Sequence, residues 1–324
     1  MLLKSDLKKH SKLNCHDSMI QTIADYFALD VRLYFLDAFG FEYRRRNDNQ
    51  ALESAYIWHK SGEKGHSLLR DYCGLNIDIF KRSLLNSLIM QQIKDSIYNG
   101  NPVGVEMDLQ YIPWNNLSLH EYRTHYFSIF GYTENNAVCV DNYLTGQMHY
   151  YNIDSIVKHA NSLYFFKNEN QNVHKASDAP FSLILNQLYS DPKYHQMMQL
   201  FINDISQTTL HTFDKDSLVE LANDEIIYGI TNIVWGRIHF QQSLDMLFEF
   251  GYRVPISEGS VIDISETWDK IKGLYIKLAY VKDKTSILNR VLALLHIIHE
   301  QESHIRNILT NNSMNLKIDT ILND

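Results

Sequence analysis

His125-Tyr126-Phe127-Ser128-Ile129-Phe130-Gly131-Tyr132, then Thr133-Glu134-Asn135-Asn136, then Ala137-Val138-Cys139-Val140-Asp141-Asn142: two apolar runs flank a short polar turn, and the pattern predicts an antiparallel hairpin. Side chains alternate between the faces of a strand. His125 and Asp141 are both odd-numbered, so an even register sum puts them on one face as direct or diagonal neighbours. Asp141 could then accept a hydrogen bond from one imidazole nitrogen and leave the other for a third group. The plainer readings are a strand-end surface histidine and a turn-forming aspartate. Asn142 is a reserve orienter, since an amide oxygen can also hold an imidazole.

The third group lies about a hundred residues upstream. Asn14-Cys15-His16-Asp17-Ser18-Met19-Ile20-Gln21-Thr22-Ile23-Ala24-Asp25-Tyr26-Phe27 has the spacing of an amphipathic helix with Cys15 in its first turn. Free N–H groups and the helix dipole favour thiolate at such a position. A lone cysteine is more often inert packing. With His125 and Asp141 downstream, nucleophile, base and orienter follow in order, and the three become candidates for a cysteine-nucleophile acyl-transfer site.

The 324 residues suffice for two domains with separate cores, and 45% hydrophobic with 21% charged residues suits a folded chain. A formal net charge of −8 argues against a protein that wraps nucleic acid. The densest basic run is Arg44-Arg45-Arg46, with Lys8, Lys9 and Lys12 near Cys15; it reads as a solvated loop or a docking patch. Cys15, Cys73 and Cys139 cannot all pair and lack C-x-x-C spacing, which suits a reducing compartment. No secretion signal and no run of ~18 apolar residues is present, so the expectation is a cytoplasmic protein without a membrane partner. His296-Ile297-Ile298-His299-Glu300-Gln301-Glu302-Ser303-His304 lacks the zincin spacing and reads as a solvated helix face; no metal site is expected.

The fold class expected is α+β over residues 1–168, followed by an all-helical domain over 178–324. In the first part, Ala51 to Tyr72 reads as irregular and Phe80 to Tyr98 as a helix stopped by Asn99-Gly100. Pro102 to Asp108 reads as a buried strand, Tyr111 to Asn116 as loop, and Tyr150 to Phe166 as a helix with a closing strand. The polar stretch from Lys167 to Pro180 reads as the boundary. Helical periodicity then runs through Tyr194–Ile205, Leu218–Phe250, Ile264–Val281 and Ile287–Leu309. That domain could serve as a lid, a substrate-binding surface or a dimerisation surface.

Over residues 10 to 165 the chain resembles the papain-like cysteine enzymes, and more closely the butirosin biosynthesis protein H type N-terminal domain. The Cys15 helix carries the resemblance, as do His125 with Gly131-Tyr132 and Asp141, and the segment Ile153 to Ala160. So does Asn99-Gly100-Asn101-Pro102-Val103-Gly104-Val105-Glu106-Met107-Asp108-Leu109-Gln110-Tyr111-Ile112-Pro113, similar to that family's "G-x-P-V … D-x-x-Y-x-P". The resemblance implies a papain-like catalytic domain and acyl transfer in thiotemplate natural-product pathways, such as nonribosomal peptide and antibiotic biosynthesis. The implied partners are an acyl or peptidyl carrier protein, whose phosphopantetheine presents the acyl chain, and a small amine or diamine acceptor. No other cofactor is implied. Closthioamide-type amide synthetases belong to the same circle.

In this reading Cys15 attacks the thioester, His125 moves the proton and Asp141 fixes the ring. Papain-like enzymes usually place a glutamine about six residues before the nucleophile; Lys9 stands there, between Lys8 and His10. The Cys15 N–H and Asn14 are therefore the candidates for the oxyanion. Glu106, Asp108 and Tyr111 are candidates to grip a cationic acceptor, against the plainer roles of loop capping and core packing. Arg44 to Arg46 would face an acidic carrier. The rival functions are a cysteine hydrolase (peptidase or thioesterase) using the same triad, and a catalytically idle binding protein.

Overall fold

The computed structural model describes residues 1–4, 9–10, 12–45, 55–58, 63–82, 88–115, 124–169, 180–207, 224–257 and 259–311. Among them the fold is mixed α+β, with a six-stranded antiparallel sheet, nine helices and a helical C-terminal region. Two compact units emerge: Met1–Val31 with His66–Val173, and Arg32–Gly65 with His174–Asp324.

This division differs from the expected linear split at about residue 170, because residues 32–65 belong with the helices. Their aromatic side chains supply the reason. Phe39 packs on Phe240 at 4.8 Å and Phe41 stacks on Trp268 at 6.0 Å, while Arg237 Nη1 donates to the carbonyls of Ala38 and Gly40.

In the first unit, α1 (Cys15–Phe27) starts where Asn14 Oδ1 accepts the Asp17 N–H at 2.8 Å. It ends at Ala28, whose left-handed backbone (φ 54°) turns its N–H back to Ala24 and Asp25. Met19, Ile20, Ile23 and Ala24 form its buried face. Each large aliphatic there contributes roughly 1.5–3 kcal/mol of transfer free energy.

The sheet comprises β3 (Leu75–Lys81), β4 (Val103–Asp108), β5 (Thr124–Tyr132), β6 (Asn136–Asp141), β7 (Gln147–Asn152) and β8 (Ala160–Asn168), in the order β3-β8-β4-β5-β6-β7. The predicted hairpin is β5–β6, closed by Thr133 N–H to the Asn136 carbonyl at 2.8 Å. Both strands are buried on both faces over most of their length, so they read as continuous apolar runs rather than alternating ones. A register shift lies between Ile129 and Gly131. There the N-terminal residues cover β5, and a Cβ on Gly131 would come within 2.6 Å of the Met1 carbonyl.

The helix expected from Phe80 is shorter: α3 spans Ile89–Tyr98, and Phe80 and Lys81 end β3 paired to Leu163 and Ser162. Pairing to β8 along seven residues outweighs the helical spacing there. The stretch from Ala51 to Tyr72 is not irregular throughout. It contains β2 (Ala55–Trp58), which pairs with β1 (Glu42–Arg45), and α2 (Glu63–Leu68), followed by a π-helical turn to Cys73. The segment after β7 behaves as read, with α4 (Ile153–His159) leading into β8.

The second unit contains α5 (Phe181–Tyr189), α6 (Lys193–Gln207), α7 (Glu225–Glu249), α8 (Ser260–Leu278) and α9 (Lys284–Thr310). The first of these carried no expectation. Its centre is polar and fully buried. The Glu302 carboxylate accepts from Arg237 Nε and Nη2 at 2.9 and 3.0 Å, Trp268 Nε1 at 2.9 Å and the Tyr194 hydroxyl at 2.9 Å. Glu302 thus leaves the solvated face that the 296–304 run suggested, and His299 Nε2 meets His195 Nδ1 at 3.2 Å.

Among the described residues, no group of three or more His, Cys, Asp or Glu side chains is arranged to hold a metal ion. Nor, among them, is any helix long and apolar enough to cross a membrane. Of the proposed basic patch, Arg44 pairs with Glu42, and Arg46 lies outside the described residues together with Lys8.

Candidate active site

His125 is the second residue of β5 and Asp141 the last of β6. The register Ser128↔Val140 continues to place Asp141 opposite Phe127, one step diagonal from His125. His125 Nε2 and Asp141 Oδ2 are 2.7 Å apart, and the two residues are 3% and 1% exposed. The other ring nitrogen, Nδ1, remains for the Cys15 thiol, which is hydrogen-bonded to His125. The structure therefore joins thiol, imidazole and carboxylate in one hydrogen-bonded line.

Asp141 is held by more than the ring. Its Oδ2 also accepts from Trp114 Nε1 at 2.8 Å, and its Oδ1 accepts from the backbone N–H groups of Tyr143 and Leu144 at 3.1 and 2.9 Å. Burial alone would push its carboxyl up. The bond to His125, the charge of that ring, the Leu144 N–H and Trp114 outweigh burial and hold it below the usual carboxylate range. The same opposition governs His125. Burial favours the neutral ring, yet its bonds to Asp141 and Cys15 push its pKa up to about 9.

The other two cysteines have different surroundings. Burial pushes the Cys139 thiol far up, on a strand between Ile129 and His149. Cys73 is buried at the end of the π-helical turn. Cys15, at the open end of a helix where backbone N–H groups have no intrahelical partner, is the thiol placed against a base.

Several expected roles fall elsewhere. Asn142 does not orient His125: its Nδ2 donates to Thr22 Oγ1 on α1 at 3.0 Å, and its carbonyl accepts the His10 N–H at 3.0 Å. The Asn14 side chain is turned to Asp17, donating from Nδ2 to Asp17 Oδ2 at 2.7 Å as well as capping α1. Lys9 runs beside Gly146, where an added Cβ would stand 3.2 Å from the Lys9 nitrogen, and His10 Nε2 is 3.8 Å from Asp25 Oδ2 near the far end of α1.

Glu106, Asp108 and Tyr111 have separate partners. Asp108 accepts from Asn161 Nδ2 at 2.8 Å, and Tyr111 stacks on His159 at 4.0 Å. Glu106 instead accepts from the Tyr164 hydroxyl at 3.2 Å, close to Tyr126.

Sequence reading missed Trp114, Tyr126 and Tyr164. Trp114 also stacks on His149 at 4.4 Å and meets Phe127 edge-on at 5.2 Å, which covers the His125–Asp141 bond. Its position in a loop of Ile-Pro-Trp chemistry offered no signal beyond the presence of a large amphipathic ring.

The fold class is thus α+β, and the site is a buried cysteine–histidine–aspartate line at a helix start and a hairpin end. No protein-family model and no curated protein matches the chain.

Proposed function

We propose that the first unit is a papain-like cysteine acyltransferase. It would take an acyl chain from a carrier-protein thioester onto Cys15 and pass it to a small amine as an amide. The observation that carries this reading is the hydrogen-bonded line Cys15–His125–Asp141. An imidazole oriented by a buried carboxylate and set against a thiol is the arrangement that generates a thiolate–imidazolium pair, the form that attacks an acyl carbon.

In the first half-reaction the Cys15 sulfur adds to the thioester carbonyl. The tetrahedral intermediate collapses as His125 gives its proton to the departing thiol. The acyl-enzyme then holds a neutral His125, whose tautomer Asp141 fixes. In the second half, the amine nitrogen attacks the Cys15 thioester, His125 takes a proton from it, and Cys15 leaves as thiolate. The ion pair is restored. The Cys15 N–H is the donor proposed for the oxyanion, a contact whose loss typically costs ~3 kcal/mol.

The test is acylation by a small-molecule thioester, followed by mass spectrometry of the peptide that contains Cys15. The expected adduct disappears in Cys15→Ala, and His125→Ala forms it at least ~100-fold more slowly. Adding an amine should release the acyl chain as amide. Release as free acid alone would favour the hydrolase, and no adduct on the wild-type chain would remove the enzyme reading.

A further inference from the structure

A second polar line approaches the nucleophile from another side. Glu106 and Tyr126 are direct cross-strand partners on β4 and β5. On β8, the Tyr164 hydroxyl donates to Glu106 Oε2 at 3.2 Å, and Tyr126 is hydrogen-bonded to Tyr164. Tyr126 directly follows His125 in the chain, lies near Cys15, and meets the His16 ring edge-on at 4.9 Å. The order is therefore Cys15, Tyr126, Tyr164, Glu106. Glu106 is half-buried, and no cationic side chain pairs with it among the described residues. A half-buried carboxylate without a counter-ion, joined through two phenols to the surroundings of the Cys15 thiol, favours the arrival of a cation.

The proposed reaction supplies one. A primary amine near neutral pH is an ammonium ion, since its pKa is roughly that of lysine, about 10.4, and it has no lone pair to attack with. Two protons must leave the nitrogen before the amide is complete. His125, neutral in the acyl-enzyme, can take only one.

We propose that Glu106, Tyr164 and Tyr126 are the acceptor side of this site: they admit a primary ammonium group and take its first proton. This inference rests on the acyl-transfer reading above. In the step, an N–H bond of the ammonium breaks and its proton passes to the Tyr126 oxygen. The Tyr126 proton passes to Tyr164 and the Tyr164 proton to Glu106 Oε2, leaving a neutral amine and a protonated Glu106. The amine lone pair then forms the C–N bond, the C–S bond to Cys15 breaks, and His125 receives the second proton. Glu106 later returns its proton to solvent. Burial, foremost among the causes, keeps both phenols in their hydroxyl form, as a relay requires.

The experiment acylates Cys15 with an acyl N-acetylcysteamine thioester and follows release by two nucleophiles. One is 1,4-diaminobutane, which is cationic near neutral pH; the other is hydroxylamine, which is uncharged there. Wild type is compared with Glu106→Gln and Tyr126→Phe, both close in volume to the native residues. The ratio of the diaminobutane rate to the hydroxylamine rate should fall at least ~10-fold in each variant, a conservative loss for a proton-transfer group. Acylation of Cys15 in each variant reports that its site has folded.

A ratio within about twofold of wild type in both variants, with acyl-Cys15 forming normally, overturns this inference and leaves the acyl-transfer reading standing. Absence of any acyl-Cys15 in the wild-type chain overturns both.

Discussion

The Trp114 indole donates its N–H to Oδ2 of Asp141 at 2.8 Å, the same oxygen that meets His125 at 2.7 Å. Asp141 thus serves two partners through one atom, while its other oxygen is fixed by the turn that follows β6. Trp114 acts on the ring only through this carboxylate, which makes it a positioning residue.

Trp114→Phe keeps an aromatic ring but removes the donor. Losing a hydrogen bond to a charged acceptor should lower stability by about 1.5–3 kcal/mol. The carboxyl is held below its ordinary value of 3.8, so its contribution is present above that pH and lost as pH falls through the folded value. With one donor fewer, that depression shrinks. The acid-unfolding midpoint should therefore move to higher pH, as circular dichroism would show; an unmoved midpoint would count against this role.

On the alkaline side the sign reverses. His125 is raised from 6.5 to about 9, so its stabilising contribution is complete below pH 6.5 and is lost as pH rises through about 9. Urea denaturation should show a larger drop from pH ~6 to pH ~9.5 in the wild type than in Asp141→Asn, where the carboxylate no longer supports the imidazolium. Taking the difference between the two proteins cancels lysines and tyrosines that titrate alike in both. Equal drops would show that the pair is not the source.

Much of this site was legible in the sequence, and the reasons are local. The β5–β6 hairpin announces itself through two apolar runs and a polar turn, and residue parity follows from the pleat. The Cys15 helix announces itself through Asn14 and an apolar stripe. Tyr126 and Tyr164 could not be read this way, because they meet only through the register of β8 on β4 and β4 on β5, and Trp114 reaches Asp141 from a loop before the hairpin. No short-range pattern encodes that register. The strand β3 was hidden because its last residues also fit the spacing of the helix beyond. Arg237 and Glu302 look like ordinary polar positions of exposed helices until the partners that bury them are known.

Gly104 tests how closely α1 must lie on the sheet. A Cβ there would stand 2.5 Å from Met19 Sδ, 3.0 Å from Phe166 Cε2 and 3.1 Å from Tyr164 Cβ. Met19 is one helical turn beyond Cys15, so relief by lifting α1 also moves the nucleophile. Gly104→Ala should cost about 1–3 kcal/mol in denaturant unfolding, the usual range for overpacking. It should also slow Cys15 acylation, by as much as ~100-fold if the sulfur moves by about an ångström. In the Met19→Ala background the same substitution should cost less, because the closest atom is gone, and a double-mutant cycle measures that coupling. Full additivity would place the strain elsewhere.

In the helical unit, Glu302 is a buried anion whose four bonds come from Arg237, Trp268 and Tyr194. Arg237 also ties down the Ala38 and Gly40 carbonyls and lies over the Phe39 ring at 4.4 Å. Removing the cation alone leaves the carboxylate desolvated, an imbalance that typically costs 3–5 kcal/mol, whereas replacing both charges by apolar groups of similar volume is often neutral. Arg237→Met should therefore destabilise the chain by about that amount in chemical denaturation, and Arg237→Met with Glu302→Leu should recover a substantial part of the loss. If the double variant is no more stable than the single one, the backbone carbonyls of Ala38 and Gly40, rather than Glu302, are what Arg237 chiefly serves.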